Sequence, residues 1–133
     1  MKKVQQYLIL IFLLVSFSKM SGQHKKTELN HNFTHVVYFW LKNPDSLRDR
    51  NEFLKSLKNF MNHSRYAETK FIGRPAGTPR EVVDNSFTYS LILSFPSKEI
   101  QNKYQKEEAH LQFIKESEHL WRKVQVYDAV AIE

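Results

Sequence analysis

Three side chains in this sequence have the chemistry to take up a proton or to hydrogen-bond an oxygen anion: His35, Tyr104 and His110. A neutral imidazole can remove a proton from a carbon next to a carbonyl, and a phenol can hydrogen-bond to the enolate oxygen that forms. On one continuous helix, Tyr104 and His110 would lie about 120° apart, because each residue turns the helix by about 100°. The two side chains therefore converge only if the helix breaks between them.

Each histidine also has a structural interpretation. His110 shares an apolar helix face with Phe113, Ser117 and Trp121, where a hydrogen-bonded imidazole would belong to the core. His35 stands at the start of an apolar strand and can bond a neighbouring backbone group. The sequence leaves the catalytic, ligand-contact and structural interpretations open.

If these residues form a site, we expect all three to line one small cavity with apolar walls. His110 would accept the proton, Tyr104 would donate a hydrogen bond to a ligand oxygen, and His35 would orient or polarise the ligand. Phe113 and Trp121 are expected near the wall of this cavity. Tyr38 and Tyr89 are ligand-binding candidates that would shape an aromatic pocket, and packing in the core is the alternative for such aromatic strand residues.

Two Glu-x-x-His motifs, Glu107-x-x-His110 and Glu116-x-x-His119, have the spacing that di-iron carboxylate helices use. Here both motifs fall on one predicted helix, nine residues apart, so they rotate to opposite faces and cannot share a metal pair. We therefore predict no metal site and no cofactor. His119 and Glu116 are expected to face solvent.

Arg74 and Arg80 flank a loop rich in glycine and proline, and guanidinium groups can bind a carboxylate or a phosphate. The stretch lacks the spacing of a phosphate-binding loop, and no helix start follows it directly. We expect this loop to form an ion pair with Asp84 or to cross a dimer interface.

The elements that must position these residues follow from hydrophobic periodicity. Asn43 is predicted to cap the first helix, with Pro44 at its first position, and Ser97 to cap the second. Tyr104 and His110 fall on separate helices. The prediction comprises strands over 35–41, 65–72, 86–95 and 124–132, and helices over 45–62, 97–104 and 107–122.

This order of elements predicts an α+β domain of the ferredoxin-like βαββααβ type, with the helices on one face of a mainly antiparallel sheet. The first strand is apolar on both faces, with Val37, Phe39 and Leu41 on one and Val36, Tyr38 and Trp40 on the other. An apolar sheet face needs cover. A homodimer with the two sheets facing each other, a dimeric α/β barrel, would supply it.

The first segment predicts a secretory signal peptide. Lys2 and Lys3 precede a nine-residue apolar run, and residues 16–22 are small or polar. The run is too short to span a bilayer, which takes about 20 residues. We predict a signal peptide over 1–22, a polar tether over 23–32, a domain over 33–132, and an exported, periplasmic or secreted protein. An uncleaved N-terminal anchor is the alternative.

Composition excludes several classes of protein. The 133 residues contain no cysteine, which rules out disulfide scaffolds, thiolate metal sites and cysteine catalysis. The formal net charge is +6, but removal of the signal segment leaves 17 basic and 14 acidic residues. Nucleic acid is therefore not an expected partner, and no membrane contact is expected beyond the signal segment.

The sequence resembles the stress-responsive A/B barrel (Dabb) domain family over about residues 33–130. The order and spacing of several short motifs carry the resemblance, which implies a dimeric α+β barrel. The motifs are His35-Val-Val-Tyr-Phe, Gly73-Arg-Pro, Arg80-Glu-Val-Val-Asp84, Phe87-Thr-Tyr-Ser-Leu, Phe95, Tyr104, Ala109-His110 and Val126-Tyr-Asp128.

Among proteins with this resemblance, a plant polyketide cyclase, olivetolic acid cyclase, performs a cofactor-free aldol condensation. Its Tyr and His pair matches Tyr104 and His110, and a further histidine matches His35. Tyr89 stands where that cyclase has another histidine. Glu107-Glu108 replaces a His-Pro pair between the tyrosine and the histidine.

The resemblance therefore leaves two functions open. The favoured one is an exported, dimeric Dabb protein of unestablished activity that binds a small apolar or aromatic ligand or acts as a stress-linked module. The alternative is a cofactor-free, polyketide-cyclase-like lyase that performs enolate or aldol chemistry with a Tyr/His pair.

Overall fold

A computed structural model describes residues 32–132. The predicted signal segment and almost all of the predicted tether lie outside these residues. No helix within the described part is long and apolar enough to cross a membrane. The elements are β1 (Phe33–Leu41), α1 (Leu47–His63), β2 (Thr69–Gly73), β3 (Tyr89–Phe95), α2 (Lys98–Tyr104), α3 (Glu108–Ser117) and β4 (Trp121–Val130).

The four strands form one antiparallel sheet in the order β2-β3-β1-β4. The strand order and the βαββααβ sequence of elements confirm the predicted α+β, ferredoxin-like fold. The pair β1 and β3, whose sequences are the most apolar, occupies the middle of the sheet, where both edges are hydrogen-bonded. Val37 marks the register, because it lies opposite Leu91 of β3 and Val126 of β4.

The hydrophobic core lies between the helices and one face of the sheet. Alternate residues of β1, from Phe33 to Leu41, point into it and meet the apolar stripe of α1. Four aromatic rings meet at its centre, where Phe53 lies 5.5 Å from Tyr89 and 5.0 Å from Phe39, and Phe113 lies 5.9 Å from Phe53. This aromatic packing holds the helices against the sheet.

The other face of the sheet carries no helix of the described residues. Tyr38 projects there with Trp40, Phe87 and Tyr127, and its ring lies 4.8 Å from that of Phe87 and 6.2 Å from that of Tyr127. The segment before β3 covers part of this face, because Ser86 Oγ accepts a hydrogen bond of 3.0 Å from Trp40 Nε1. Phe71 and Tyr127 stay 57% and 59% exposed. We call this surface the open face.

The start of α1 differs from the prediction, because Ser46 and not Asn43 is the N-cap. Ser46 Oγ accepts a hydrogen bond from the Asp49 backbone N–H at 3.2 Å, and it donates one to the Asp49 carboxylate. Asn43 Nδ2 also donates to that carboxylate, and the hydrogen bonds from Asn43 and Ser46 hold its pKa below the usual value. Because of this reciprocal hydrogen bonding between Ser46 and Asp49, the helix begins after Ser46, and Pro44 lies in the preceding turn.

The end of α3 also differs from the prediction. The helix stops at Ser117, and Trp121, which was expected on it, begins β4 opposite Leu41. A backbone hydrogen bond from Lys42 N–H to the Leu120 carbonyl, 2.8 Å long, holds this corner. The strand starts three residues before the predicted Val124 because pairing with β1 overrides the helical spacing of the apolar residues.

The second and third strands are shorter than expected. β2 begins at Thr69 rather than at Arg65, because the chain after α1 is occupied by contacts to neighbouring elements. β3 begins at Tyr89, although Thr88 already donates its N–H to the Phe39 carbonyl. The alternation that predicted β3 is otherwise confirmed, as is Ser97 as the cap of α2.

Candidate functional site

The break between α2 and α3 brings Tyr104 and His110 together. Tyr104 is the last residue of α2, and a turn closed by hydrogen bonds from the backbone N–H groups of Lys106 and Glu107 redirects the chain into α3. His110 lies in the first turn of α3, and its ring centroid is 5.0 Å from that of Tyr104. One unbroken helix would have kept these rings apart, so the two-helix prediction is confirmed.

His35 joins the pair from the sheet. Its side chain lies on the core face of β1, and its ring centroid is 5.7 Å from that of Tyr104. Phe95 and Phe60 pack around the three rings, at 4.9 Å and 5.6 Å from the Tyr104 ring. Three residues from three separate elements thus form one polar cluster, which we call the His-Tyr-His cluster.

Asp128 fixes the orientation of His35. The two residues lie directly opposite each other in the β1–β4 pairing, and His35 Nδ1 is 2.5 Å from Asp128 Oδ1. Because a carboxylate only accepts hydrogen bonds, Nδ1 carries the proton and Nε2 of a neutral His35 is left as an acceptor. The His35 side chain is 5% exposed and that of Asp128 45%, so the pair connects the buried cluster to the edge of the sheet.

Sequence reasoning assigned no role to Asp128. An acidic residue in an edge strand is usually solvated, and only the register between β1 and β4 places it opposite a histidine. The two residues are 93 positions apart. Two signals in the sequence pointed to Asp128: it belongs to the Val126-Tyr-Asp128 motif, and it interrupts the valines of an otherwise apolar face of β4.

The second imidazole is held in a similar way. His110 Nδ1 donates a hydrogen bond of 3.0 Å to the backbone carbonyl of Gln105 in the break, which leaves Nε2 as an acceptor. Burial lowers the pKa of His110 from its usual 6.5, and the nearby His35 adds to the effect. The bond to Gln105 and the charge of Glu107 act in the other direction. His110 is therefore a neutral base at neutral pH.

Tyr104 remains protonated. Burial raises the pKa of its phenol far above the usual value, and the negative charges of Glu107 and Asp128 add to this shift. Among residues 32–132, the Tyr104 hydroxyl has no hydrogen-bond partner, yet the only fully buried unpaired side-chain oxygen or nitrogen there is Ser117 Oγ. Tyr104 is 1% exposed, so its hydroxyl is a buried donor that a ligand oxygen could satisfy only after neighbouring side chains move.

The edge strand leaves one side of the cluster uncovered. Val124, Val126 and Val130 share the core face of β4 with Asp128, but no helix of the described residues reaches over them. They are 37%, 41% and 65% exposed. A small apolar compound can therefore approach His35 and Asp128 along a strip of valine side chains.

The four aromatic residues predicted to bind a ligand separate into three groups. Phe113 is next to the cluster, because its ring stacks on Phe60 at 5.2 Å. Tyr89 and Trp121 pack around Phe53 in the centre of the core, one layer further away. Tyr38 lies on the open face, so the sheet separates it from His35 and it cannot line the same cavity.

A groove of about 790 Å³ runs between α1 and α3. Phe60 lines this groove, whereas none of His35, Tyr104 and His110 does. The groove is therefore not the predicted cavity lined by all three polar residues. Its lining is Ser56, Asn59, Phe60, Asn62, His63, Arg65, Tyr66, Glu107, Glu108, Ala109, Gln112, Phe113 and Glu116.

The side chains of the two Glu-x-x-His motifs bond to other residues of the same chain and do not form a metal ligand set. His119 is exposed, as predicted, with Nε2 at 3.2 Å from Glu52 Oε1. Glu116 accepts hydrogen bonds from Ser56 Oγ and Gln112 Nε2, which lower its pKa. Over residues 32–132, no three acidic or histidine side chains come together as metal ligands.

The arginine loop does not form the predicted ion pair. Asp84 accepts a hydrogen bond of 2.7 Å from the Ser86 backbone N–H, and Ser86 holds the pKa of Asp84 below its usual value. Within the described part of the chain, the close ion pairs are those of His35 with Asp128 and of His119 with Glu52. The Asp84 carboxylate is hydrogen-bonded within its own turn and not to Arg74 or Arg80.

The fold and the cluster define a ferredoxin-like α+β domain with a histidine–tyrosine site between its helices and its sheet. The sequence matches the stress responsive A/B barrel domain over residues 33–131, and the chain belongs to this family. No curated protein matches the sequence.

Solved structures share the fold. A protein from Arabidopsis thaliana is 23% identical, with a TM-score of 0.62, and the match covers 76% of this chain and 96% of that chain. A hydroxynitrile lyase from Passiflora edulis is 19% identical, with a TM-score of 0.65 and coverage of 78% and 96%. A dimeric ferredoxin-like protein of unknown function from Thermobifida fusca is 9% identical, with a TM-score of 0.64 and coverage of 81% and 99%.

Proposed function

We propose that this protein is a cofactor-free lyase that performs acid–base chemistry on a small apolar or aromatic carbonyl compound. The observation that carries the proposal is the meeting of Tyr104 and His110 across the helix break, next to a His35 that Asp128 holds in place. In each imidazole Nδ1 is hydrogen-bonded and Nε2 has no hydrogen-bond partner among residues 32–132, and the phenol is neutral. This combination of two imidazoles and one hydrogen-bond donor suits enolate chemistry.

Each group has one role in the reaction. His110 Nε2 removes a proton from the carbon next to the carbonyl, and the electrons of the C–H bond move to the carbonyl oxygen. The Tyr104 hydroxyl donates a hydrogen bond to that oxygen, where the negative charge develops. His35, oriented by Asp128, holds the other end of the substrate. The enolate carbon then attacks a second carbonyl carbon of the substrate, which forms the new C–C bond, and the His110 imidazolium gives its proton to the alkoxide oxygen that results.

The valine strip beside Asp128 supports an apolar substrate. Val126 and Val130 offer exposed apolar surface next to the carboxylate, and Phe95 and Phe60 close the cluster from the inside. A hydroxynitrile lyase has the same fold. Because one fold carries many activities, the proposal rests on the cluster and not on that likeness.

A second candidate is an exported or stress-linked module that binds a small ligand without converting it. It is favoured by the close packing of the cluster, in which His35 and Tyr104 are only 4% and 1% exposed. A substrate must displace side chains to reach both residues. A ligand that contacts only Asp128 and the valine strip needs no such displacement.

Exchange of a carbon-bound proton separates the two candidates. Phenylacetone in D2O loses its α-proton signal in the ¹H NMR spectrum when a base removes that proton. We expect the protein to accelerate the loss, and we expect His110→Asn and Tyr104→Phe to remove most of the acceleration. His119→Asn, at the exposed histidine, is the matched control. Shifts of the β4 valine methyl signals without any faster exchange would favour the binding module and defeat the lyase.

We also propose that the protein is a homodimer whose two open faces lie against each other. The support is the exposed apolar surface of Phe71 and Tyr127 around the Tyr38 cluster, together with relatives that are described as dimeric. Light scattering of residues 23–133 should give twice the mass of one chain. A clean monomer at micromolar concentration would defeat the dimer.

Finally, we propose that the protein is exported and cleaved after Gly22. The support is the order of basic, apolar and small residues in the first segment. N-terminal sequencing of protein from native cells should begin at Gln23. Soluble cytoplasmic protein with an intact Met1 would contradict export.

A further inference from the structure

Glu107 joins two elements that meet beside the His-Tyr-His cluster. It lies in the break before α3, and its carboxylate accepts a hydrogen bond of 2.6 Å from Ser64 Oγ and one of 3.1 Å from the backbone N–H of Arg65. Ser64 and Arg65 directly follow the last residue of α1. One carboxylate thus ties the end of α1 to the start of α3.

Lys70 holds the same helix end from the side of the sheet. Its ammonium group donates hydrogen bonds to the backbone carbonyls of Met61 and Ser64, at 2.6 Å and 2.8 Å. A cation at the C-terminus of a helix satisfies carbonyls that have no partner within the helix. At this helix end, Glu107 therefore accepts a hydrogen bond from a backbone N–H group and Lys70 donates to backbone carbonyl groups.

The position of this helix end decides where Phe60 lies. Phe60 is in the last turn of α1 and is 2% exposed. Its ring centroid is 5.6 Å from that of Tyr104 and 5.3 Å from that of His110. Moving the end of α1 would move the ring that packs against both polar residues.

Glu107 also supplies a charge close to His110. The groups that face this imidazole are Tyr104 from α2, the Gln105 carbonyl from the break, His35 from β1 and Phe60 from α1. Burial and His35 lower the pKa of His110, whereas the Gln105 carbonyl and the Glu107 carboxylate raise it. Glu107 is the carboxylate whose charge raises the pKa of His110.

Glu108, the next residue, makes a natural contrast. Both glutamates line the groove between α1 and α3. The Glu108 side chain is exposed and makes no hydrogen bond to another residue among 32–132. The two acids of the Glu107-Glu108 pair are therefore not equivalent, although the sequence alone presents them as one substitution.

We propose that Glu107 is the positioning residue of this site: it fixes Phe60 against Tyr104 and His110 through the end of α1, and its backbone carbonyl accepts a hydrogen bond of 3.1 Å from the His110 backbone N–H, which places its carboxylate one helical turn before the imidazole. The relevance of this placement for catalysis rests on the acid–base function proposed above. The role itself is a property of the protein without substrate. In a lyase, it would set the pH at which His110 becomes an effective base.

The test is an NMR titration of the His110 ring protons in the full chain, without any substrate, for the wild type, Glu107→Gln and Glu108→Gln. Glu107→Gln removes the charge with little change of shape. We expect it to lower the titration midpoint of His110 and to shift the Phe60 ring signals, whereas Glu108→Gln should leave both unchanged. A merely structural role of Glu107 would lower the melting temperature without moving the midpoint.

Ser64→Ala covers the case in which Glu107→Gln does not fold. It keeps the charge but removes one of the two hydrogen bonds that tie the carboxylate to the end of α1, so we expect the His110 midpoint to fall by less and the Phe60 signals to shift. An unchanged midpoint in the folded variants, or equal shifts with Glu108→Gln, would overturn the role of Glu107. Absence of α-proton exchange in the wild type would count against the lyase and leave this result untouched.

Discussion

The two faces of the sheet are both rich in aromatic residues, but these residues have different surroundings on each face. On the helix-covered face, the aromatic rings are buried and the polar residues His35, Tyr104 and His110 are gathered at one place, with Nδ1 of each histidine bonded to a defined acceptor. On the open face, Tyr38 and Tyr127 form an aromatic cluster with Trp40 and Phe87 that no helix of the described residues covers. One face is organised around a polar site, and the other is organised for contact.

The comparison shows why polarity matters more than aromatic content in locating a site. An aromatic residue gains most of its stabilisation from burial, so it fits equally well in a core or in an interface. A buried histidine needs at least one hydrogen-bond partner, and that partner restricts its tautomer and its orientation. The helix-covered face is therefore where we place chemistry, and the open face is where we place the second subunit.

Removal of a ring from the helix-covered face should have the largest effect on stability. Phe53 is fully buried and contacts four aromatic rings, those of Phe39, Tyr89, Phe113 and Trp121. We expect Phe53→Ala to lower the free energy of unfolding by about 3–5 kcal/mol, measured by urea denaturation. Val82→Ala, at a side chain that is 90% exposed, should cost almost nothing. Equal losses for the two variants would contradict the core described above.

A charge on the open face should break the dimer and spare the fold. Tyr127 is 59% exposed in one chain, so Tyr127→Asp should bury an unpaired carboxylate only when two chains meet. We expect the dimer dissociation constant from sedimentation to rise by about tenfold or more, which corresponds to about 1.4 kcal/mol. The matched control is Leu111→Asp on α3, at a side chain that is 55% exposed. A dimer weakened by Leu111→Asp instead would place the contact on the helices.

The helix-covered face should also respond to pH through His110. The fold lowers the pKa of this imidazole below 6.5, so folding favours the neutral form. Its contribution to the free energy of unfolding is complete at a pH above 6.5, the pKa of an unperturbed histidine. This contribution is lost as the pH falls from 6.5 through the lowered pKa of the folded state. We expect the free energy of unfolding to decline between pH 7.5 and pH 5.

The control for this pH dependence is a pair of histidine variants. His110→Asn should flatten the decline, because it removes the group that the fold keeps neutral. His119→Asn should not, because His119 is exposed and paired with Glu52. The carboxyl groups with lowered pKa values, such as Asp49 and Glu116, act below pH 5, so they do not obscure this window. The same slope in all three proteins would contradict the assignment.

The smallest effect should come from a polar group without a partner. Ser117 is fully buried at the end of α3, and its hydroxyl has no hydrogen-bond partner among the described residues. Ser117→Ala removes a hydroxyl whose burial costs free energy, so we expect the protein to be as stable as the wild type or more stable by about 1 kcal/mol. Thermal and urea unfolding measure this difference. A loss of stability would show that the hydroxyl has a partner, such as a buried water.

The sequence carried most of the fold, because the decisive signals were local. Period-two alternation located β3, and Ser97 marked the start of α2. The helix break followed from the separate patterns before and after residue 105. The errors came where a nearby competitor won, as Ser46 did over Asn43 at the start of α1, or where strand pairing extended β4 back to Trp121.

The site was predictable in part. The positions of Tyr104 and His110 depend on a local break, whereas the pairing of His35 with Asp128 depends on a register between distant strands that no local pattern encodes. The separation of Tyr38 from the His-Tyr-His cluster could be read from the sequence. Residues 35 and 38 differ in parity, so they point to opposite faces of one strand.

The most direct test of the central claim is the tautomer of the two histidines in the cluster. A long-range ¹H–¹⁵N correlation spectrum at pH 7.5 distinguishes a protonated Nδ1 from a protonated Nε2. We predict protons on Nδ1 of both His35 and His110, since Asp128 and the Gln105 carbonyl accept them, and an unprotonated Nε2 on His110. A proton on Nε2 of neutral His110, with Nδ1 bare, would remove the base assigned to His110 and would contradict the proposed chemistry.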